Sequence, residues 1–396
     1  MNRVAKLIMV TGAANNNKYY DMQDDGSTIF VKYGRVGSTE CTANYPSYKW
    51  DSLYKSKTKK GYKDVTGLRV ENKAIDFLTI SNDVISAFVA ELQALAKRSI
   101  QSNYTVSSDA VTQAQVDEAQ KILDRLADLT NKKRRDNILI DKTLLELYQT
   151  IPRRMQHVQN HLVSGGRKAE DIITEEQATL DVMKGQVRVN TVQQNNTVED
   201  KKTILEAMGL TLEPATDEDI KLVKKELGEI SNKFKRAFKV VNKRTQERFD
   251  KYVAGKKNKT CKLLWHGSRN ENWWNILDSG LLLRPTNVII TGKMYGNGSY
   301  FADKARKSYG YTSCQGSYWA RGNDSRGFMS LYNVHLGNSY VSKHREGWMG
   351  SATEASLKSK GDYDSLTALG GADLINNEFI VYNESATTIK YIVEVG

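Results

Sequence analysis

Leu263-Leu-Trp-His-Gly-Ser-Arg269, Gly292-Lys-Met-Tyr-Gly-Asn-Gly-Ser-Tyr-Phe-Ala-Asp303 and Asn376-Asn-Glu-Phe-Ile-Val-Tyr382 stand in that order in a chain of 396 residues. The first is an apolar strand that delivers His266 at its end. Gly267 and Ser268 follow, a bare backbone and a hydroxyl able to pair with an amide-bearing ligand. In the second string Gly292, Gly296 and Gly298 permit close backbone approach, and Tyr300 sits where a planar ligand can stack. Its Gly-x-Gly is neither a Walker loop nor a dinucleotide fingerprint, since no strand–turn–helix unit surrounds it. The third string sets a carboxylate, Glu378, immediately ahead of an apolar strand. Short strands are expected at Lys262–Trp265, Leu331–Leu336, Phe379–Tyr382 and Lys390–Val395, with glycines punctuating the loops. That pattern predicts an α+β domain over 200–396 with mostly antiparallel connections.

Upstream the apolar period changes. Pro214 precedes an acidic-start helix, Asp217–Leu227, and a strongly basic segment, Lys233–Lys259. Val187–Asp200, rich in Asn, Gln and Thr, reads as a linker. Before it, Ile75, Phe77, Leu78, Val84, Ile85, Phe88, Val89, Leu92 and Leu95 recur at helical spacing. Thr112-x-x-Gln115 is a capping-box signature ahead of Val116, Ala119, Ile122, Leu123, Leu126 and Leu129. Leu144–Tyr148 end another helix, closed by Pro152, and Ile172–Met183 and Ile204–Met208 give two more. With one proline and no strong strand pattern, residues 71–195 are expected to form an all-α bundle of about six helices.

Residues 1–70 read as a small β-rich domain. Leu7–Val10 and Ile29–Tyr33 are strand-like runs on either side of an Asn-rich, Asp-Gly-containing turn region. The segment holds 12 Lys/Arg against 6 Asp/Glu, several of them in Lys55-Ser-Lys-Thr-Lys-Lys60. Trp50, Tyr54 and Tyr62 interleave with these lysines. Cations for phosphate and flat rings for stacking describe a nucleic-acid surface, and equally a solvated face over an aromatic core.

The whole chain has a formal charge of +12, which suits a polyanionic partner through counterion release. Hydrophobic residues make up 39% and charged residues 26%, an ordinary globular balance that argues against disorder. Cys41, Cys261 and Cys314 are too scattered for a disulfide framework or a structural zinc site. No apolar run approaches the ~20 residues that span a bilayer, and the N-terminal apolar core is too brief for a secretory signal. A soluble, intracellular protein with no membrane partner is expected.

Together the three strings resemble the signature of the poly(ADP-ribose) polymerase catalytic domain, whose catalytic triad runs His, Tyr, Glu. The resemblance extends over nearly the whole chain. Residues 71–195 are similar to that family's helical regulatory domain, and Val31-Lys-Tyr-Gly-Arg-Val-Gly37 resembles a WGR domain. This is the organisation of compact, DNA-dependent members without zinc fingers. The resemblance implies a multidomain α+β protein: a WGR-like domain at 1–70, the helical domain at 71–195 and an ADP-ribosyltransferase fold at 200–396. NAD⁺ would be the co-substrate, with no metal.

Under the same resemblance, Gly267 and Ser268 would grip the nicotinamide carboxamide, with Ser308 a further donor to it. Tyr300 and Tyr311 would sandwich the ring. His266 would bond ribose hydroxyls, and Asn272 would contact the adenosine side. Glu378 would accept from the nicotinamide-ribose 2′-hydroxyl and stabilise the oxocarbenium-like cation, as carboxylates do in glycosidases. Its presence favours polymer formation. Tyr33, Arg35, Lys55 and Lys57 would face broken or nicked DNA. Three positions depart from the family pattern: Tyr33 stands where a Trp is usual, Lys293 where an aromatic is usual, and Leu282 where an Arg is usual near the adenine site.

Three readings follow: a DNA-dependent polymerase acting on proteins, itself included; a transferase of single ADP-ribose units not controlled by DNA; and a non-catalytic DNA-binding scaffold. The complete His266, Tyr300, Glu378 set, with Ser268 and Tyr311, argues against the last. The compartment would be the nucleus in a eukaryotic source and the cytoplasm otherwise.

Overall fold

Contacts divide the chain into two units: residues Met1–Lys73 with Lys97–Arg188, and residues Ala74–Ala96 with Val189–Gly396. The computed structural model describes residues 3–12, 14–36, 38–66, 76–106, 111–194, 201–283, 294–317 and 320–396. Gly37, Ile75, Gly292 and Lys293 lie outside the described residues, as do residues 195–200 of the expected linker.

In the first unit, β1 (Arg3–Thr11), β2 (Asn16–Asp24), β3 (Thr28–Arg35), β4 (Cys41–Pro46) and β5 (Lys63–Asp64) pair antiparallel in the order β4-β3-β2-β1-β5. Side chains alternate faces along a strand, so Ala5, Leu7, Tyr20, Met22, Ile29 and Val31 share one face and bury it against Trp50. Trp50 opens helix α1 (Trp50–Lys59), so the lysine run is helical. Its period was hidden because only Trp50, Leu53 and Tyr54 of its apolar side chains join the core, among so many lysines.

Four longer helices follow: α2 (Asp83–Asn103), α3 (Gln113–Thr130), α4 (Asn137–Thr150) and α5 (Ala169–Gln194). The first unit takes α2 from residue 97 on and α5 up to residue 188; the remainder of each belongs to the second unit. The capping box at Thr112 and Gln115 starts α3, and Val116, Ala119, Ile122, Leu123 and Leu126 form its buried stripe. Two expectations need correction. Phe77 and Leu78 precede the helix: Leu78 pairs instead with Thr203, and α2 starts only after Asn82 accepts from the N–H groups of Val84 and Ile85. Residues 187–194, read as linker, continue α5, because Val187, Val189 and Val192 find a buried face among the polar neighbours.

An ion pair lies inside this unit. Arg153 and Glu176 are both buried, and Arg153 Nη2 donates to Glu176 Oε1 at 3.1 Å. Arg153 Nη1 donates to the Asn103 carbonyl, its guanidinium covers the Tyr104 ring, and its own carbonyl accepts from Asn17 of β2.

The second unit begins with α6 (Ile204–Met208), β6 (Leu210–Pro214), α7 (Asp217–Leu227), β7 (Phe234–Asn242) and α8 (Lys243–Ala254). The basic segment Lys233–Lys259 is therefore a strand and a helix. Lysines and arginines between Phe234, Ala237, Phe238 and Val240 obscured the alternation. Then come β8 (Cys261–Gly267), α9 (Trp273–Ser279), β9 (Ser299–Phe301), α10 (Ala305–Tyr309) and the β10 (Gly316–Ser317) and β11 (Ala320–Arg321) hairpin. The unit closes with β12 (Gly327–His335), β13 (Ser339–Ser342), α11 (Glu354–Gly361), β14 (Ser365–Ala368), β15 (Glu378–Val381) and β16 (Thr387–Val395).

These strands make a five-stranded antiparallel sheet, β6-β7-β16-β12-β8, and a four-stranded sheet, β13-β14-β15-β9, in which only β13 and β14 run parallel. The unit is thus α+β with mostly antiparallel sheets. Trp265, Met329, Leu331, Val393 and Val395 pack one face of the larger sheet on Val223 and Leu227 of α7. Phe88, from the start of α2, stacks on Phe238 with ring centroids 4.0 Å apart. Around it Arg236 and Arg326 each pair with both Glu91 and Glu394. Among the described residues no helix is long and apolar enough to cross a membrane.

Candidate active site

The two sheets of the second unit meet where Trp265 and Ala302 exchange backbone hydrogen bonds of 2.8 and 3.0 Å. This bridge fixes the site. It sets the end of β8, carrying His266 and Gly267, against β9, carrying Tyr300. β15 pairs with β9 on its other side, Ile380 opposite Tyr300, and brings Glu378 in at its first residue. A cavity of about 400 Å³ opens between them. His266, Gly267, Met294, Tyr300, Lys307, Ser308, Tyr311, Leu374 and Glu378 line it, with Phe301 and Ala302. Three strings far apart in sequence thus converge because three strands do.

Each group is held. The Tyr300 carbonyl can only accept, so its 3.0 Å contact with His266 Nδ1 makes Nδ1 the donor. The Tyr300 hydroxyl accepts from the Tyr295 N–H at 3.0 Å and donates to the Gly296 carbonyl at 2.8 Å. Burial pushes its pKa well above the ordinary tyrosine value, against the Tyr295 N–H and with added repulsion from Glu378. The phenol therefore stays neutral and acts as a wall. Tyr311 is half exposed; burial and then Glu378 raise its pKa too. Gly267 is required by close approach: a Cβ there would stand 1.9 Å from the Ser308 carbonyl oxygen. Ser308, at the buried side of α10, donates from Oγ to the Trp265 carbonyl at 3.1 Å.

Glu378 is nearly buried, and Lys307 Nζ lies 2.6 Å from its Oε1. Burying a carboxylate is costly without an opposite charge beside it, and Lys307 supplies one. The ion pair was not foreseen. Its signal was the Lys307-Ser308 pair one helical turn after Asp303, but nothing in sequence tied that lysine to a glutamate 71 positions on. Asn377, beside Glu378, braces the strand start by donating to Asp303 and accepting from the Gly370 N–H.

Of the nominated residues, His266, Gly267, Tyr300, Ser308, Tyr311 and Glu378 line the cavity. Ser268 and Asn272 are outside that lining and bond each other, Asn272 Nδ2 donating to Ser268 Oγ at 3.0 Å. There the chain leaves β8 for a single 3-10 turn, Asn270–Asn272, that runs into α9. Leu282 follows α9 without joining the lining.

In the first unit the four residues nominated for DNA divide. The Arg35 guanidinium is engaged inside the protein, donating to the carbonyls of Asn15 at 2.7 Å and Gln156 at 2.8 Å. Lys57 Nζ sits 3.7 Å above the centroid of the Tyr20 ring, and burial lowers its pKa. Tyr33 leans on Tyr20, with ring centroids 5.8 Å apart, and keeps 37% of its surface exposed. Lys55 points to solvent.

The sequence profile of the poly(ADP-ribose) polymerase catalytic domain matches residues 218–396, the part of the chain that builds this cavity. A poly [ADP-ribose] polymerase-like protein, 100L, of Invertebrate iridescent virus 6 is 34% identical over 182 residues, covering 45% of this chain and 93% of that one. The chain belongs to the poly(ADP-ribose) polymerase family. An uncharacterized protein of the same virus, 101L, is 35% identical over 199 residues, half of this chain and 83% of that protein. Poly [ADP-ribose] polymerase 2-B of Oryza sativa subsp. japonica aligns at 21% identity along 96% of this chain and 70% of its own length. As a family member the chain is an NAD⁺ ADP-ribosyltransferase, and NAD⁺ is its substrate.

Proposed function

We propose that this chain is a poly-ADP-ribosyltransferase stimulated by broken or nicked DNA, acting on protein acceptors that include itself, in the nucleus if its source is eukaryotic and in the cytoplasm otherwise. The observation that carries the catalytic part is the convergence of His266, Tyr300, Tyr311 and Glu378 on one cavity. Tyr300 and Tyr311 offer ring faces for the nicotinamide. The Gly267 backbone and Ser308 Oγ are the groups within that wall suited to its carboxamide. Ser268, nominated with Gly267, has Asn272 as its partner instead. His266, its Nδ1 held by the Tyr300 carbonyl, stands in the cavity wall where the ribose hydroxyls would lie.

The reaction breaks the bond between the ribose C1′ and the pyridinium nitrogen, and nicotinamide leaves neutral. Positive charge develops on the ribose. The Glu378 carboxylate is the anion suited to stabilise it and to take up the acceptor proton as the new C1′–O bond forms. When a ribose hydroxyl of earlier product is the acceptor, the same steps lengthen a polymer.

Support for the DNA-controlled part comes from the basic N-terminal segment, with 12 Lys/Arg against 6 Asp/Glu over residues 1–70. A labelled-NAD⁺ incorporation assay with and without nicked duplex DNA tests both parts. A DNA-stimulated ladder of long products is expected. One short product that ignores DNA would remove the polymer and sensor readings, and no incorporation at all would remove the function.

A further inference from the structure

Ile375 is the most exposed large apolar side chain described, at 93%, and it stands three residues before Glu378. Its neighbours border the cavity on both sides. Leu374 lines it, and the Asn376 carbonyl is 3.5 Å from Nζ of Lys307, the partner of Glu378. The backbone here is braced. The Gly371 N–H donates to the Leu374 carbonyl at 2.7 Å, and the Gly370 N–H donates to Asn377 Oδ1 at 2.9 Å. A Cβ on Gly370 would approach the Ile375 carbonyl oxygen to 2.7 Å, so the two segments lie in contact. Asp373 accepts from the Arg345 N–H at 2.5 Å, and Arg345 Nε donates to the carbonyl of Met294, on the cavity wall. Several hydrogen bonds thus brace the lip, while one branched apolar side chain on it stands in water.

Single exposed apolar residues are common on protein surfaces and need no explanation. This one differs in its place and in its fixation. Among the described residues it is 93% exposed, yet its backbone is held by hydrogen bonds that a free surface loop would lack. A group held rigid binds without the entropy cost of being ordered.

We propose that Ile375 is a specificity-determining contact for the acceptor: it receives an apolar side chain of a polypeptide, next to the residue that takes the ADP-ribosyl group. An aliphatic side chain suits another aliphatic group, whereas nucleobases are gripped by aromatic rings and arginine planes. This inference rests on the transferase reading and adds the chemistry of its acceptor. The residue touches neither NAD⁺ nor the breaking bond, so hydrolysis of NAD⁺, in which water takes the acceptor's place, does not depend on it.

The test uses the full chain as wild type, Ile375→Asp and Ile375→Val. Because Ile375 buries nothing, both variants are expected to melt with the wild type. The probes are labelled NAD⁺ and peptides carrying Ser, Glu or Asp as acceptor residue, flanked by Leu or by Ser. Wild type is expected to prefer the Leu-flanked peptides. Ile375→Asp is expected to lose that preference and about tenfold in transfer, the scale of one apolar pocket contact, with nicotinamide release into water unchanged. Ile375→Val is expected to retain both. Equal transfer by wild type and Ile375→Asp would overturn the proposal, as would equal loss of hydrolysis and transfer. Transfer to a DNA oligonucleotide in place of every peptide would overturn it in favour of a nucleic-acid acceptor. A wild-type protein that neither hydrolyses nor transfers would take away the transferase reading itself, and the missing hydrolysis tells that failure from the others.

Discussion

The cavity around Tyr300 and Glu378 and the basic N-terminal segment were both nominated from charged and aromatic residues, and the structure treats the two nominations differently. In the cavity, residues scattered from 266 to 378 come to one place because β8, β9 and β15 are neighbours. In the N-terminal domain, neighbouring residues part company. Arg35 is tied to backbone carbonyls and Lys57 to the Tyr20 and Tyr62 rings, while Lys55 faces solvent. Spacing that only a backbone approach can explain, such as Gly267 next to His266, points to a site. Local density of lysines points to a surface, and cannot say which cations the fold itself uses.

Substitutions can separate the two regions. The largest effect is expected at Gly267→Ala, since a methyl 1.9 Å from the Ser308 carbonyl forces β8 and α10 apart. Nicotinamide release is expected to fall at least 100-fold, because a misplacement of about 1 Å already costs that much; near-normal turnover would show that the cavity tolerates the shift.

Next is Arg153→Met in the first unit. It leaves Glu176 buried without its partner, and breaking such a pair costs about 3–5 kcal/mol. A chemical-denaturation midpoint that does not move would mean that Glu176 is neutral or hydrated there. Arg35→Gln should cost about 1 kcal/mol, since water can reach the Asn15 and Gln156 carbonyls it leaves. If it instead abolished DNA binding with stability intact, Arg35 would belong to the DNA surface after all.

Smallest is a pH effect. His161 is held near pKa 4, below its ordinary 6.5, by burial first and then by Arg153 and Arg167. The unfolded chain therefore binds the extra proton first. Stability from this group is complete above pH 6.5 and is lost as pH falls towards 4. His161→Gln should flatten that part of the melting profile; an unchanged slope would assign it to other groups.

The fold was legible where pattern and period were undisturbed. Asp217–Leu227 and Ile204–Met208 are helices at the residues read, and Thr112 with Gln115 caps α3. It was illegible where charge interrupted the period, as in β7 and α1, or where short polar stretches cloaked valines, as at the end of α5. Within the site, His266, Tyr300 and Glu378 could be read because the strings around them are unusual. The Lys307–Glu378 pair could not, since it depends on a helix and a strand meeting in space.

The most direct test of the account is nicotinamide release from NAD⁺ by wild type and Glu378→Gln, with Lys55→Gln as a distant control. If the cavity is the NAD⁺ site and Glu378 stabilises the developing cation, the glutamate variant should lose about 10²–10³ in rate, on the scale of one electrostatic transition-state contact, while the lysine variant without DNA matches wild type. Equal rates for wild type and Glu378→Gln would contradict it, because the convergence of the three strands on Glu378 would then have no bearing on the chemistry.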